Sequence, residues 1–144
     1  EKIVVILGDN ILEKGIQRAV DEYRGQEKGA KILLKEVSDP ERFGVAEIQG
    51  DKLIGIEEKP KQPRSPYAVT GIYFYDARAF SIIKTLKPSA RGELEITDVN
   101  NAYIEAGQLA WDVLYGWWTD AGTIESLHRA NQLVAKTGAN KMEL

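Results

Sequence analysis

Apolar residues fall into short blocks along the chain, and the spacing within each block predicts a strand or a helix. Residues 3–7 (IVVIL) form a continuous apolar run without alternation, which is typical of a strand buried on both faces of a parallel sheet. Residues 12–24 place apolar side chains at helical spacing, and Gly25 and Gly29 follow as helix-ending residues. The chain is therefore predicted to open with a buried strand and a helix.

Strand-like runs dominate the middle of the chain. Between them, proline at its fixed φ predicts a turn in the SDPER segment, and the QGDK segment predicts a hairpin. Gly44 lies inside one of these runs, where a glycine indicates close approach of a ligand or of another backbone. The predicted strands are residues 30–37, 43–48, 53–59 and 67–75.

Helical spacing returns in the last part of the chain. Asp76 is predicted to cap the first of three helices, and a loop dense in charge follows that helix. The predicted elements are a helix at residues 76–86, a loop at 87–95, a helix at 96–106, a strand at 109–115 and a helix at 123–136. This order predicts a mixed α/β sheet flanked by helices, in a single domain that covers residues 1–144.

Composition narrows the class of protein. The chain has 144 residues, of which 43% are hydrophobic and 28% charged, as expected for one soluble globular domain. It has no cysteine, which excludes disulfides and thiolate chemistry. The net charge of −3 argues against a nucleic-acid partner, and no apolar run is long enough to span a membrane. We expect a cytoplasmic protein. Because the chain starts at Glu1 without Met and enters a strand at once, we also expect it to be part of a longer polypeptide.

Two aspartates follow apolar runs and stand beside small residues, Asp9 in LGDN and Asp120 in WTDAG. Open α/β sheets place their ligands beyond the carboxyl ends of their strands, which favours a site for Asp9 over a helix cap. Carboxylates of this kind suit Mg²⁺, which takes a few carboxylates together with the phosphates of a substrate. The pair predicts a metal site for phosphoryl chemistry.

Lys59 is the third candidate, because an alternating run carries Glu58 and Lys59 directly into Pro60. Proline ends the strand there, and alternation predicts that Glu58 and Lys59 point to opposite faces of the sheet. A lysine fixed at a strand end can neutralise a phosphate. The alternative is a solvated charge cluster, and this run alone does not separate the two interpretations.

The chain resembles the sugar nucleotidylyltransferases, and within that family the bacterial branch that uses thymidine triphosphate. The resemblance rests on VVILGDN, DPERFGVAEI, IEEKP, YAVTGIYFYD, LKPSARGELEITDVN and GWWTDAGTIESLHRAN, which together span nearly the whole chain. It implies a Rossmann-like α/β sheet and Mg²⁺ as cofactor. The implied reaction is attack by a phosphate oxygen of glucose 1-phosphate on the α-phosphate of dTTP, with release of pyrophosphate.

The same resemblance assigns roles to individual residues. It gives the metal to Asp9 and Asp120, the sugar phosphate to Lys59, and contacts with the sugar to a wider set. That set is Gly44, Glu58, the backbone around Val69, Tyr73, and Arg91 beside the sugar phosphate. Phe43 stands where the nearest members have tyrosine, so a hydroxyl contact is lost there.

The resemblance covers only the C-terminal half of the family's catalytic domain. The glycine-rich nucleotide loop and a second catalytic lysine belong to the N-terminal half, and this sequence has no G-x-G-x-x-G stretch. We therefore expect the chain alone to be inactive, and to form a homo-oligomer or to pair with the missing half. Two alternatives stay open: a hexose-1-phosphate uridylyltransferase, and a non-catalytic fragment that binds sugar phosphate or serves in assembly.

Overall fold

Eight strands and four α-helices follow one another in the part of the chain that the computed structural model describes, residues 1–142. The strands are β1 (Lys2–Ile6), β2 (Asn10–Leu12), β3 (Ala30–Glu36), β4 (Gly44–Gln49), β5 (Lys52–Glu58), β6 (Tyr67–Asp76), β7 (Leu109–Val113) and β8 (Trp118–Asp120). The helices are α1 (Gln17–Gly25), α2 (Arg78–Thr85), α3 (Ile96–Glu105) and α4 (Ile124–Thr137), with a one-turn 3-10 helix at Pro40–Arg42. No helix among these residues is long and apolar enough to cross a membrane.

Strand β6 is the centre of the main sheet, whose order is β5-β4-β6-β3-β7. Its ten residues are mostly buried, because β3 covers one edge and two strands share the other. On the shared edge β4 meets β6 at Ala68, whereas β1 pairs with it from Ile72 to Asp76. Strands β3 and β7 run parallel and the other described pairs of this sheet run antiparallel, which confirms the predicted mixed sheet. The two partners form a fork, and between Ala68 and Ile72 no described strand pairs with this edge of β6.

Apolar side chains pack on both faces of this sheet. One cluster includes Tyr75, Val99 and Tyr103, where the rings of Tyr75 and Tyr103 stack with centroids 5.8 Å apart. On the other face Tyr23 packs against Phe74, with ring centroids 5.4 Å apart. Helix α3 therefore covers one face and α1 the other.

The prediction for the first strand was wrong about its burial and its direction. Strand β1 is antiparallel to β6, and its side chains alternate between the core and the surface. Ile3 and Val5 pack against the core, whereas Val4 is 40% exposed and Ile6 is 52% exposed. The reason is that β1 has one strand partner among the described residues and one covered face. A continuous apolar run does not reveal how many of its neighbours the chain itself supplies.

The predicted helix over residues 12–24 was wrong in its first turn. Helix α1 begins only at Gln17, because Asn10–Leu12 pair instead with Trp118–Asp120 in a two-stranded sheet. This pairing is long-range in the sequence, so local periodicity does not detect it. It also means that Asp9 does not cap the helix. Asn10 lies opposite Asp120, which brings the two predicted metal carboxylates to the same place.

Asp76, the last residue of β6, links three other parts of the fold. Its carboxylate accepts hydrogen bonds from the Gly29 N–H at 2.8 Å, the Tyr103 hydroxyl at 2.8 Å and the Arg78 N–H at 3.1 Å. The last of these bonds reaches the first residue of α2, but the N-cap of this helix is Ala77, so the prediction that Asp76 caps it was wrong by one residue. Burial alone raises the pKa of Asp76, but the bonds from Arg78 and the other donors outweigh it, and the pKa lies well below its ordinary value.

We expect Asp76→Asn to lower the free energy of unfolding at pH 7 by about 2 kcal/mol, because bonds to a charged acceptor are lost. A carboxyl with a lowered folded-state pKa stabilises above its ordinary pKa and loses that contribution as the pH falls. The difference between wild type and variant should therefore be smaller at pH 3 than at pH 7 in urea unfolding. Asp21→Asn, which removes an exposed helix-surface ion pair, is the control. An equal difference at both pH values would contradict this account.

Candidate active site

A cavity of about 580 Å³ opens at the fork between β1 and β4. Its size is that of a small-molecule site. The middle of β6, the end of β5, the first turns of α3 and the small β2-β8 sheet form its walls. Seven of the eight residues predicted for the site line it: Asp9, Gly44, Glu58, Lys59, Val69, Tyr73 and Asp120.

Arg91 is the eighth, and the structure does not bring it to the cavity wall. Its guanidinium donates to Glu93 at 3.1 Å and lies 3.7 Å from Glu95. Glu95 does line the cavity, so the loop that carries Arg91 borders the site. The predicted contact between Arg91 and a sugar phosphate stays a prediction.

Asp9 and Asp120 point to a common position beside Gly122. A Cβ atom built on Gly122 would lie 3.0 Å from Asp9 Oδ2 and 3.3 Å from Asp120 Oδ2. The Ala121 N–H also donates to the Asp9 carbonyl at 2.7 Å, which holds the two segments together. Two converging carboxylates fit a hard divalent cation that completes its shell with water and phosphate oxygens. Among residues 1–142 no third acidic, histidine or cysteine side chain joins them.

Asp120 is held by donors from three directions. The Gly122 N–H and the Ser126 hydroxyl donate to Oδ2 at 3.1 and 3.0 Å, and Arg42 donates to both oxygens at 3.1 Å. Burial alone raises the pKa of Asp120. The hydrogen bonds and the charge of Arg42 outweigh burial, so the pKa lies below its ordinary value. The carboxylate is therefore ionised at neutral pH, and a cation there would compete with Arg42.

Glu58 and Lys59 both line the cavity, although strand alternation predicts opposite faces of the sheet for their side chains. Lys59 has φ +43°, in the left-handed region, and this turn of the backbone breaks the alternation of the strand. The Lys59 N–H donates to the Phe43 carbonyl at 3.0 Å. Non-glycine residues in this region are strained by about 1–3 kcal/mol and cluster at functional sites.

This strain gives a stability prediction. Lys59→Gly should be more stable than Lys59→Ala by about 1 kcal/mol, because glycine adopts the left-handed region without a Cβ penalty. Urea unfolding of the two variants measures the difference. The same pair of substitutions at exposed Lys61, which does not have a positive φ, is the control and should favour alanine. An alanine variant at position 59 as stable as the glycine variant would show that the backbone is not strained.

Glu58 is positioned by its neighbours on β4 and α3. The Thr97 hydroxyl donates to Glu58 Oε2 at 2.6 Å. A Cβ atom on Gly44 would lie 3.2 Å from the same oxygen, so the close neighbour of this glycine is a side chain and not the ligand or backbone that was predicted. Burial, followed by the charges of Glu58 and Asp9, raises the pKa of Tyr73 to about 12. Tyr73 therefore presents a neutral hydroxyl at physiological pH.

The residues of the site that the sequence analysis missed include Asn10, Arg42 and Thr97. Asn10 Oδ1 accepts from the Gly71 N–H at 2.8 Å and from the Trp118 indole at 2.7 Å. Its Nδ2 donates to Asp9 Oδ1 at 3.0 Å, which orients that carboxylate. Asn10 and Arg42 stand inside runs that carried the resemblance, so their position was a signal. Their contacts depend on tertiary pairing and could not be deduced from spacing.

The family profile described as "Nucleotidyl transferase" matches residues 1–137 of this chain. A glucose-1-phosphate thymidylyltransferase of Neisseria meningitidis is 46% identical over 138 residues, which are 93% of this chain and 48% of that protein. One from Xanthomonas campestris is 48% identical over 134 residues, covering 90% of this chain and 45% of that protein. The chain thus spans about half the length of the curated relatives it matches.

Solved structures also match this chain. A Bacillus anthracis protein described as a glucose-1-phosphate thymidylyltransferase, solved with sucrose, superposes with a TM-score of 0.87 and is 62% identical. The match covers 92% of this chain and 54% of that one. A UDP-glucose pyrophosphorylase superposes with a TM-score of 0.80 at 22% identity, over 94% of this chain and 55% of that one. The second likeness shows the nucleotide-diphospho-sugar transferase fold alone.

Proposed function

This chain belongs to the nucleotidyl transferase family, and from that premise we propose that it is the sugar-phosphate half of an enzyme that joins dTTP and glucose 1-phosphate. A phosphate oxygen of the sugar phosphate attacks the α-phosphorus of dTTP. The bond from that phosphorus to the bridging oxygen of the β-phosphate breaks, and dTDP-glucose and pyrophosphate form. Thymidine is favoured because the relatives at 46–48% identity carry that activity in their names.

The observation that carries the proposal is the set of residues that line the cavity. Lys59 and the pair Asp9 and Asp120 line one cavity, together with the neutral and acidic groups that suit a sugar. Among its lining residues four are carboxylates and two are cationic, so an anionic substrate needs further positive charge there. Bound at Asp9 and Asp120, Mg²⁺ would supply that charge to the phosphates.

Each side chain then has a separate task. Asp9 and Asp120 hold the cation, and Asn10 and Ser126 keep the two carboxylates in place. Lys59 binds the phosphate of the sugar. Glu58, oriented by Thr97, accepts from sugar hydroxyls, with Gly44, the backbone at Val69 and the Tyr73 hydroxyl beside it. We propose a cytoplasmic enzyme whose partners are small-molecule substrates and the rest of its own catalytic domain.

The test is a chimera in which this chain replaces the matching half of the Bacillus anthracis protein. Pyrophosphate release from dTTP and glucose 1-phosphate is expected from the chimera and not from the chain alone. Lys59→Ala should raise the KM for glucose 1-phosphate by about 10-fold to 100-fold, as expected for a lost bond to a charged group, and change the KM for dTTP little. Exposed Lys61→Ala is the matched control. Equal losses for both substrates would remove Lys59 from the sugar-phosphate site.

A further inference from the structure

Asn100 is a buried amide on α3 whose hydrogen-bonding capacity is only half used. The residue is 1% exposed, and it lines the cavity. The Tyr75 hydroxyl donates to its Oδ1 at 2.6 Å, which fixes the orientation of the amide. Among residues 1–142 this is the one hydrogen bond of its side chain, and no side-chain polar atom there is both fully buried and unpaired, so Nδ2 reaches the space of the cavity. A ligand that fills the cavity covers this donor, and a buried N–H group without an acceptor costs about 1–3 kcal/mol, so such a ligand must offer it an acceptor.

Asn101, the next residue of α3, has a structural role. Asn101 uses both ends of its amide on the backbone of β5. Its Oδ1 accepts from the Ile56 N–H at 2.9 Å, and its Nδ2 donates to the Ile56 carbonyl at 2.9 Å. Asn101 therefore fastens α3 to the sheet, and that task does not explain Asn100.

The surroundings of Asn100 indicate the kind of ligand. Thr97 lies one helical turn earlier, about 5–6 Å away between Cβ atoms, and its hydroxyl holds Glu58. On the other side Tyr75 stacks on Tyr73, with ring centroids 6.0 Å apart. The wall thus offers an amide donor, a carboxylate acceptor and a phenolic hydroxyl. The carboxylate disfavours a phosphate at this wall, whereas a sugar hydroxyl can accept from the amide and donate to the carboxylate.

We infer that Asn100 is a sugar-binding residue, which donates a hydrogen bond from Nδ2 to one hydroxyl oxygen of the hexose. The inference rests on the proposed function and adds a specificity-determining contact to it. The amide is held by Tyr75 before the sugar arrives, so no rotamer freedom is lost on binding. A hexose that lacks this hydroxyl, or carries it in the other configuration, leaves the Asn100 donor buried and unpaired, and the site rejects it.

Nuclear magnetic resonance on the full chain tests the contact directly. The Asn100 side-chain amide signals, identified by their disappearance in Asn100→Asp, should shift when glucose 1-phosphate is added and not when inorganic phosphate is added. Shifts at Glu58 and Lys59 without a shift at Asn100 Nδ2 would overturn the inference and leave the proposed function standing. No shift at any of the three with glucose 1-phosphate would overturn both.

Binding of substrate analogues supplies the second measurement. Asn100→Asp keeps the acceptor for Tyr75, and it should weaken glucose 1-phosphate binding on the order of tenfold. Asn100→Ser is the uncharged substitute if the buried carboxylate unfolds the chain. Analogues of glucose 1-phosphate that each lack one hydroxyl identify the position of the contact. The analogue without the hydroxyl bound by Asn100 should bind to wild type and to the variant with affinities within about twofold of each other, because the contact is then missing from both. Asn101→Ser is the control for loss of stability, and its effect on binding should be the same for every analogue. A loss that is the same for every analogue would assign Asn100 to the fold alone.

Discussion

Asp120→Asn in the chimeric enzyme should lower kcat on the order of a hundredfold or more, because a metal ion at this carboxylate stabilises the transition state by several kcal/mol. The substitution is nearly isosteric, and an amide oxygen can still accept from Gly122 and Ser126, so the fold around β8 should be kept. Asp9→Asn should have an effect of similar size, since both carboxylates point to the same position beside Gly122.

Steady-state kinetics over a range of Mg²⁺ concentration distinguish this result from a loss of stability. A weakened metal site should raise the Mg²⁺ concentration needed for half-maximal rate as well as lower kcat. Asp51→Asn, at the exposed turn between β4 and β5, is the control and should leave both quantities unchanged. Near-normal turnover of either variant at saturating Mg²⁺ would remove that aspartate from the metal site.

Arg42 adds a structural reason to expect a large effect at Asp120. Its guanidinium donates to both Asp120 oxygens and to Asp39, and its side chain is only 31% exposed. The Asp120 carboxylate therefore has a cationic partner in Arg42, with which a bound metal ion would compete. In Asp120→Asn the electrostatic attraction falls for the metal and for Arg42 together.

The sequence predicted the elements that depend on local pattern. Strands β3 to β6 and helices α2 to α4 were expected within a few residues of their observed bounds, because their apolar periods and their Gly and Pro punctuation are local signals. The errors came where a distant partner decides the structure. The Asn10–Leu12 strand exists only because it pairs with Trp118–Asp120.

At the candidate site the sequence was likewise informative where the signal is local and was not where tertiary structure decides. Asp9 and Asp120 could be expected from their positions after apolar runs and from the resemblance. The positive φ of Lys59, which ends the strand alternation after Glu58, could not be expected from the spacing of residues. The role proposed for Asn100 requires knowing that Tyr75 occupies one end of its amide and that the other end is free among the described residues.

Strand β1 carries the structural feature that bears most directly on assembly. It pairs with β6 along one edge, and among residues 1–142 no strand pairs with its other edge. The exposed face of the same region is apolar, with Val4 40%, Ile6 52% and Leu7 43% exposed. An open edge beside an apolar face recruits another chain. Since relatives are about twice as long, we propose that the occupant is the other half of the catalytic domain, and that a second copy takes its place when that half is absent.

We therefore expect the chain alone to associate at micromolar concentration through β1, in an interface that buries at least about 1,000 Å². Ile6→Lys should make it monomeric, because a charge on an edge strand opposes pairing, and should weaken its association with the N-terminal half of the Bacillus anthracis protein supplied as a separate chain. Val5 is unsuitable for this test because it packs against the core. Phe80→Lys is the control, since Phe80 is an apolar residue of α2 with 55% exposure. Sedimentation velocity distinguishes the outcomes: a wild-type monomer, or equal effects of Ile6→Lys and Phe80→Lys, would show that the β1 edge does not direct assembly.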